Sequence, residues 1–239
     1  MNSGATALYD LLKSHFHTFH KIVDIGPSDK LIHFDFSDTN NELQQLDLTD
    51  TENFSTYITS KLNNAKAKFG IGGYNENRSF YKRSNLFSIE KSGVSTTKNQ
   101  RTLHLGIDVW GEEGTKIYAP LEGRVHSFAF NNYFGDYGST IILSHQLDGV
   151  SFYTLYGHLS LRDITAVKKG SYINRGEQFA HFGNTEENGN WPPHLHFQII
   201  NDIGNYEGDY PGVCSFSERK KYLDNSPDPD IILCLNKYL

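Results

Sequence analysis

Cysteine, methionine and proline are scarce in this chain of 239 residues, with two Cys, one Met and seven Pro. Cys214 and Cys234 both lie near the C-terminus, which excludes a disulfide scaffold and a cysteine-based metal knuckle. No apolar run approaches the ~20 residues needed to span a bilayer. Positive charge is also in deficit. Lys plus Arg number 22 against 28 Asp plus Glu, a formal charge of −6, whereas a nucleic-acid binder needs a basic face. Met1 to Lys21 carries Asp10, Lys13 and three histidines where a signal peptide requires an uninterrupted apolar stretch. These absences lead us to expect no nucleic-acid partner and no membrane partner. As written, the chain is expected to be cytoplasmic, with export by another route left open.

Aromatic residues, by contrast, make up 13% of the chain, and glycine numbers 21. Disordered chains are poor in aromatics, so this one is expected to bury a substantial core. Many Gly with many aromatics suit a β-rich domain with tight turns. Residues 1–69 read as a small α+β module. Ala7, Leu8, Leu11, Leu12, Phe16 and Phe19 recur at helical steps. Ile32, Phe34 and Phe36 alternate with His33 and Asp35 as in a half-buried strand. Thr49 and Glu52 form a capping box ahead of a helix whose apolar face is Phe54, Tyr57, Ile58 and Leu62. His15, His17 and His20 do not gather on one helical face, so no metal site is expected there.

Residues 70–100 form a connecting segment, broken by Gly70, Gly72 and Gly73 and ending in a polar loop, Ser92 to Gln100. From residue 101 to 239 the chain is β-rich. Arg124–Phe130, Ser139–His145, Ser151–His158, Gln178–Phe182 and His194–Ile200 read as strands, and Asp148-Gly149 between two of them is a strong hairpin signal. The expected fold is mainly β, an antiparallel sandwich or half-barrel carrying the small N-terminal module.

Seven of the eleven histidines fall between residues 104 and 196. Two short texts stand out, His104-Leu105-Gly106-Ile107-Asp108 and His194-Leu195-His196. Residues two or four apart on a strand project from one face, so His194 and His196 point the same way, roughly 7 Å apart. His104 and Asp108 share a face if the chain stays extended, and Gly106 leaves room where ligands converge. Two imidazoles and a carboxylate form a common catalytic zinc set with an open position for water. Ferrous oxygenases share that ligand set, but their acid follows the histidine by two residues and here the spacing is four. A cupin His-x-His expects an acid soon afterwards, and Phe197, Gln198, Ile199 and Ile200 follow instead. A helical His-Glu-x-x-His site is absent. Buried structural histidines suit a lone His better than five candidates in these spacings.

His104-x-Gly-x-Asp108, then Tyr156-Gly157-His158-Leu159-Ser160, then Pro193-His194-Leu195-His196-Phe197, together resemble the ordered motifs of the lysostaphin-like (LytM-type) zinc endopeptidases. These are β-sheet enzymes that cleave peptide bonds in peptidoglycan. The likeness covers about residues 101–200, and Gly114 to Gly123 is similar to the strand and turn after the family's first ligand. The resemblance implies a β-fold of duplicated-hybrid-motif type and one zinc per chain on His104, Asp108 and His196. It also implies His158 and His194 as an unliganded catalytic pair, and a peptide or peptidoglycan substrate. Chemically, a neutral imidazole pair suffices as proton acceptor and oxyanion partner at neutral pH. Glu112 and Glu113 sit in a Gly-flanked turn and read as solvated.

Tyr118, Tyr133, Tyr137, Tyr156 and Trp191 are candidates to line a peptide groove. Tyr156 leads because it shares a strand parity with His158, and the loop Asn184 to Trp191 is a candidate groove wall. His126, His145 and His181 read as structural or solvated. Tyr74, Phe80, Tyr81, Leu86 and Phe87 are too apolar to leave in water, so residues 70–87 are expected to dock on the β-domain and narrow access to the metal. Within them, Asn75 and Asn77 offer amide oxygens as weak zinc ligands or groove contacts, and Arg78 and Arg83 could pair with carboxylates. Three features depart from the family pattern: the missing export signal, the Glu-Asn-Gly-Asn-Trp-Pro-Pro loop before His194, and the tail from Asn201 to Leu239. They leave two other readings open, a metallohydrolase acting on a different intracellular peptide or amide, and a non-catalytic regulatory binding module of the same fold.

Overall fold

The computed structural model describes residues 3–88 and 100–239. The polar loop expected over Ser92–Gln100 therefore lies outside the described residues, except for Gln100. Helix α1 (Ser3–His15) buries Leu8 and Leu12 on one face, as their spacing predicts. Strand β1 (Leu31–Phe34) follows, then helix α2 (Thr51–Ala65). Asp50, not Thr49, caps α2 by accepting from the Asn53 N–H. The Thr49 hydroxyl donates instead to Asp47, so the N-cap falls one residue later than expected. Strand β2 (Phe69–Gly72) closes this part of the chain.

After residue 100 come β3 (Arg101–His104), β4 (Ile107–Trp110), β5 (Lys116–Tyr118), β6 (Gly123–Asn131), β7 (Gly138–Leu147) and β8 (Val150–Leu159). Helix α3 (Leu161–Ala166), β9 (Tyr172–Ile173), β10 (Gln178–His181), β11 (His194–Ile200) and β12 (Val213–Ser215) precede the short helices α4 (Arg219–Asn225) and α5 (Asp230–Leu233). The β7–β8 turn has positive φ at both Asp148 and Gly149, 47° and 82°, the backbone that a two-residue hairpin loop demands.

Eight strands form one sheet in the order β1-β2-β4-β11-β8-β7-β6-β9. Every neighbouring pair is antiparallel except β1 with β2. Two small ladders, β5 with β10 and β3 with β12, complete a mainly β fold. The first seventy residues do not stand apart from it, because β1 and β2 extend the sheet through β4.

Register sorts the side chains into two layers. One face carries Ile71, Ile107, Val109, Tyr156, Leu195, Phe197 and Ile199 into a core shared with α1 and α5. On the other, Phe34, Phe36 and Phe54 from the N-terminal part pack with Phe80, Tyr81, Trp110 and Trp191. Phe80, Tyr81 and Phe87 are buried and Tyr74 and Leu86 partly so, which is the docking their apolar character demands.

Candidate metal and catalytic site

The β4–β11 register sets Asp108 opposite His196 and Trp110 opposite His194, so all four share the face away from the aliphatic core. His104 reaches them by a different route. The chain does not stay extended from His104 to Asp108. It leaves β3, which pairs with β12, and bends through Leu105-Gly106 into β4. A Cβ at Gly106 would lie 2.5 Å from the His196 ring, so the bare backbone is what lets that imidazole lie across the bend.

Three acceptor atoms meet at this place. His104 Nε2 lies 2.9 Å from His196 Nδ1 and 3.2 Å from Asp108 Oδ1, and His196 Nδ1 lies 3.1 Å from the same oxygen. The far nitrogen of each ring is already committed. His104 Nδ1 donates to the Gly73 carbonyl at 2.8 Å, and His196 Nε2 donates to Gln198 Oε1 at 3.0 Å. Gln198 in turn is oriented by its Nε2, which donates to the Pro211 carbonyl and to Ser226 Oγ. With those tautomers, two imidazole lone pairs and a carboxylate oxygen face one another with no proton between them. A cation resolves that arrangement, and zinc held at about 2.0–2.2 Å places its ligands roughly 3.3 Å apart. The residues fit the metal.

All three are nearly sealed from solvent, at 1%, 2% and 3% exposure for His104, Asp108 and His196. Burial would raise the Asp108 pKa, but His104 and the Arg78 guanidinium hold it well below the usual carboxylate range. Burial, helped by the Arg78 charge, brings His104 down to about 4.

His158 and His194 face each other with ring centroids 4.1 Å apart. Each donates Nδ1–H to a backbone carbonyl, His158 to Asn188 at 2.8 Å and His194 to Pro192 at 2.7 Å. Nε2 of each is therefore left as the acceptor. Burial lowers both, His194 to about 4 and His158 well below the usual imidazole range, the latter also through His194. Both are neutral at pH 7. The Trp110 ring stacks on His194 at 3.9 Å and fixes its plane.

A cavity of about 110 Å³ opens on this pair and on Asp108 and His196, with Tyr81, Phe87, Tyr137 and Trp191 among its walls. Trp191, a groove candidate in the sequence, is one of these walls. Tyr156 is not. It is fully buried in the opposite layer, edge-on to Phe179 and Phe197. The reason is local. His158 has φ = 62°, a left-handed residue that interrupts strand alternation, so its side chain turns to the face that Gly157 shares with His196. Parity therefore misassigns Tyr156.

Asn75 and Asn77 are corrected too. Asn75 Oδ1 accepts from Arg219, and Asn77 donates to Asp38, so neither amide is turned to the metal ligands. Tyr133 is exposed and Tyr118 sits beside His20, away from the cavity. His145 bonds Glu122 and Thr154, His181 bonds Asp163, and His126 bonds Ser127. These three hold structure. Tyr137, a groove candidate in the sequence, lines the cavity, and its hydroxyl lies 3.4 Å from His196 Nε2. One supporting residue, Gln198, escaped the sequence reading. Gln198 follows His196 by two residues on the same strand face, and that period was the available signal.

Part of the chain is similar to known proteins. Residues 102–207 match the sequence model of Peptidase family M23. An uncharacterized metalloprotease of Haemophilus influenzae is 33% identical over 126 residues, half of this chain and 24% of that protein. The chain thus spans about a quarter of the length of that relative. Among solved structures, a zinc-containing peptidase from Vibrio cholerae is 24% identical, with 48% of this chain and 36% of that one covered and a TM-score of 0.33. The catalytic domain of lysostaphin from Staphylococcus simulans is 23% identical, with 68% and 96% covered and a TM-score of 0.37.

Proposed function

We propose that this chain is a zinc-dependent endopeptidase that hydrolyses peptide bonds in peptidoglycan, in cross-links or stem peptides. The observation that carries this reading is the meeting of three deprotonated donors of fixed tautomer beside two neutral imidazoles with free Nε2 atoms. His104 Nε2, Asp108 Oδ1 and His196 Nδ1 would hold one zinc per chain. Bound there, the ion supplies Lewis acidity to a water and to the scissile carbonyl. Nε2 of His194 or His158 takes the proton from the attacking water, and the other imidazole faces the carbonyl oxygen as its charge develops. The same nitrogens return a proton to the departing amine. Tyr81, Phe87, Tyr137 and Trp191 exclude water from the exchange.

The test is to incubate the zinc-loaded protein with purified peptidoglycan and identify the released fragments by mass. The expected result is new paired amine and carboxylate ends that disappear with a chelator. Cleavage of unrelated peptides with peptidoglycan left intact would replace the substrate and support the metallohydrolase reading. Zinc binding without cleavage of any peptide would point to a binding module. Among the described residues no helix is long and apolar enough to cross a membrane.

A further inference from the structure

Arg78 is a fully buried cation, 1% exposed, and the hydrolytic scheme makes no use of it. Its guanidinium reaches the outer partners of two of the three metal ligands. Nη1 donates to Asp108 Oδ2 at 2.5 Å, and Nη2 donates at 3.3 Å to the Gly73 carbonyl, the same oxygen that receives His104 Nδ1–H. Nε donates to Glu76 Oε2 at 2.6 Å, and Nη1 also approaches Tyr81 Oη at 3.3 Å. The fork is thus spent on fixed partners. Its path is built into the backbone as well. Arg78 N bonds the Thr102 carbonyl while His104 N bonds the Glu76 carbonyl, so the Arg78 segment and the first ligand strand are one ladder. A Cβ at Gly72 would come within 2.9 Å of Arg78 Nη2, so Gly72 clears the guanidinium's seat.

We propose that Arg78 is a positioning residue for the metal centre, holding Asp108 as a one-oxygen ligand and bracing His104 through Gly73. With Oδ2 engaged by the guanidinium, only Oδ1 is turned toward the two histidines. Lysine cannot substitute, because a single ammonium does not span Asp108, Gly73 and Glu76 as a planar fork does. Glu76 balances the charge, and its other oxygen accepts from Phe36 N, so the brace is anchored in the strand-edge region next to β1. This inference rests on the metal reading of the site and deepens it.

The experiment loads wild type, Arg78→Met and Arg78→Lys with cobalt(II) alone and records visible absorption, then measures zinc affinity by chelator competition. Wild type should show the intense bands of a four-coordinate ion. Arg78→Met, with Asp108 Oδ2 released to the metal, should show weaker bands of higher coordination number and a loss of about ten-fold or more in zinc affinity. Arg78→Lys should fail to restore either. If Arg78→Met does not fold, Arg78→Lys alone carries the test, since it keeps the stem and the charge. Wild-type spectrum and affinity in Arg78→Lys, or in both variants, would overturn the role of Arg78 and leave the metal site standing. A wild-type protein that takes up neither cobalt nor zinc would instead overturn the metal reading itself.

Discussion

His158 sits in the left-handed region at the end of a strand, an unusual conformation for a residue with a Cβ, and that single dihedral places its imidazole against His194. The two rings share one orientation device, an Nδ1–H bonded to a backbone carbonyl, and neither contacts the metal-ligand carboxylate. His158→Ala and His194→Ala are therefore expected to bind zinc as wild type does while turnover falls by ~10²–10⁴-fold. Metal analysis beside peptide-cleavage rates checks both halves, and near-normal turnover in both variants would refute the pair. Strand period put His194 and His196 on one face, whereas the proposed ligand set His104, Asp108 and His196 came from the resemblance of the motifs, because spacing does not reveal that β4 and β11 are neighbours. Tyr156 was misread because no sequence signal marks the φ of His158. Asn75 and Asn77 were misread because their partners, Arg219 and Asp38, are distant in the chain.

Among the elements, strand β7 (Gly138–Leu147) shows how burial sets a pH response. His145 is sealed between Glu122, Thr154 and the Phe152 ring, and burial brings it down to about 4. In the unfolded chain the same ring titrates near 6.5. As pH falls from 6.5 toward 4, the unfolded state takes up a proton that the folded state refuses, so stability declines through that window. One such group contributes at most about 1.4 kcal/mol per pH unit. Thermal melts of wild type and His145→Gln between pH 4 and 7 should show a shallower dependence in the variant. Equal slopes would mean that His145 is not the refused site. The β7–β8 hairpin itself was legible from Asp148-Gly149, and the long strands from alternation. The Leu105-Gly106 bend was not, because the same residues read equally well as one extended strand.

On the scale of the whole molecule, the expected separation of residues 1–69 from the rest was the least legible feature. Composition shifts mark where a chain changes character, but β1 and β2 are completed by hydrogen bonds to β4, which sequence order hides. Phe36 and Phe54 pack directly on Trp110, the residue that stacks on His194. Deleting residues 1–72 should consequently expose this aromatic layer and the edge of β4, and abolish a cooperative thermal transition. A trimmed protein that melts within a few degrees of the full chain would show that the two parts are independent. The N-terminal part of the chain thus supports the floor on which the histidines stand. The claim on which everything else depends is the metal, and zinc content per chain tests it most directly. After reloading and removal of loose metal, wild type should retain one zinc, and His104→Ala, Asp108→Ala and His196→Ala should retain far less. Full zinc content in folded His196→Ala would contradict the account.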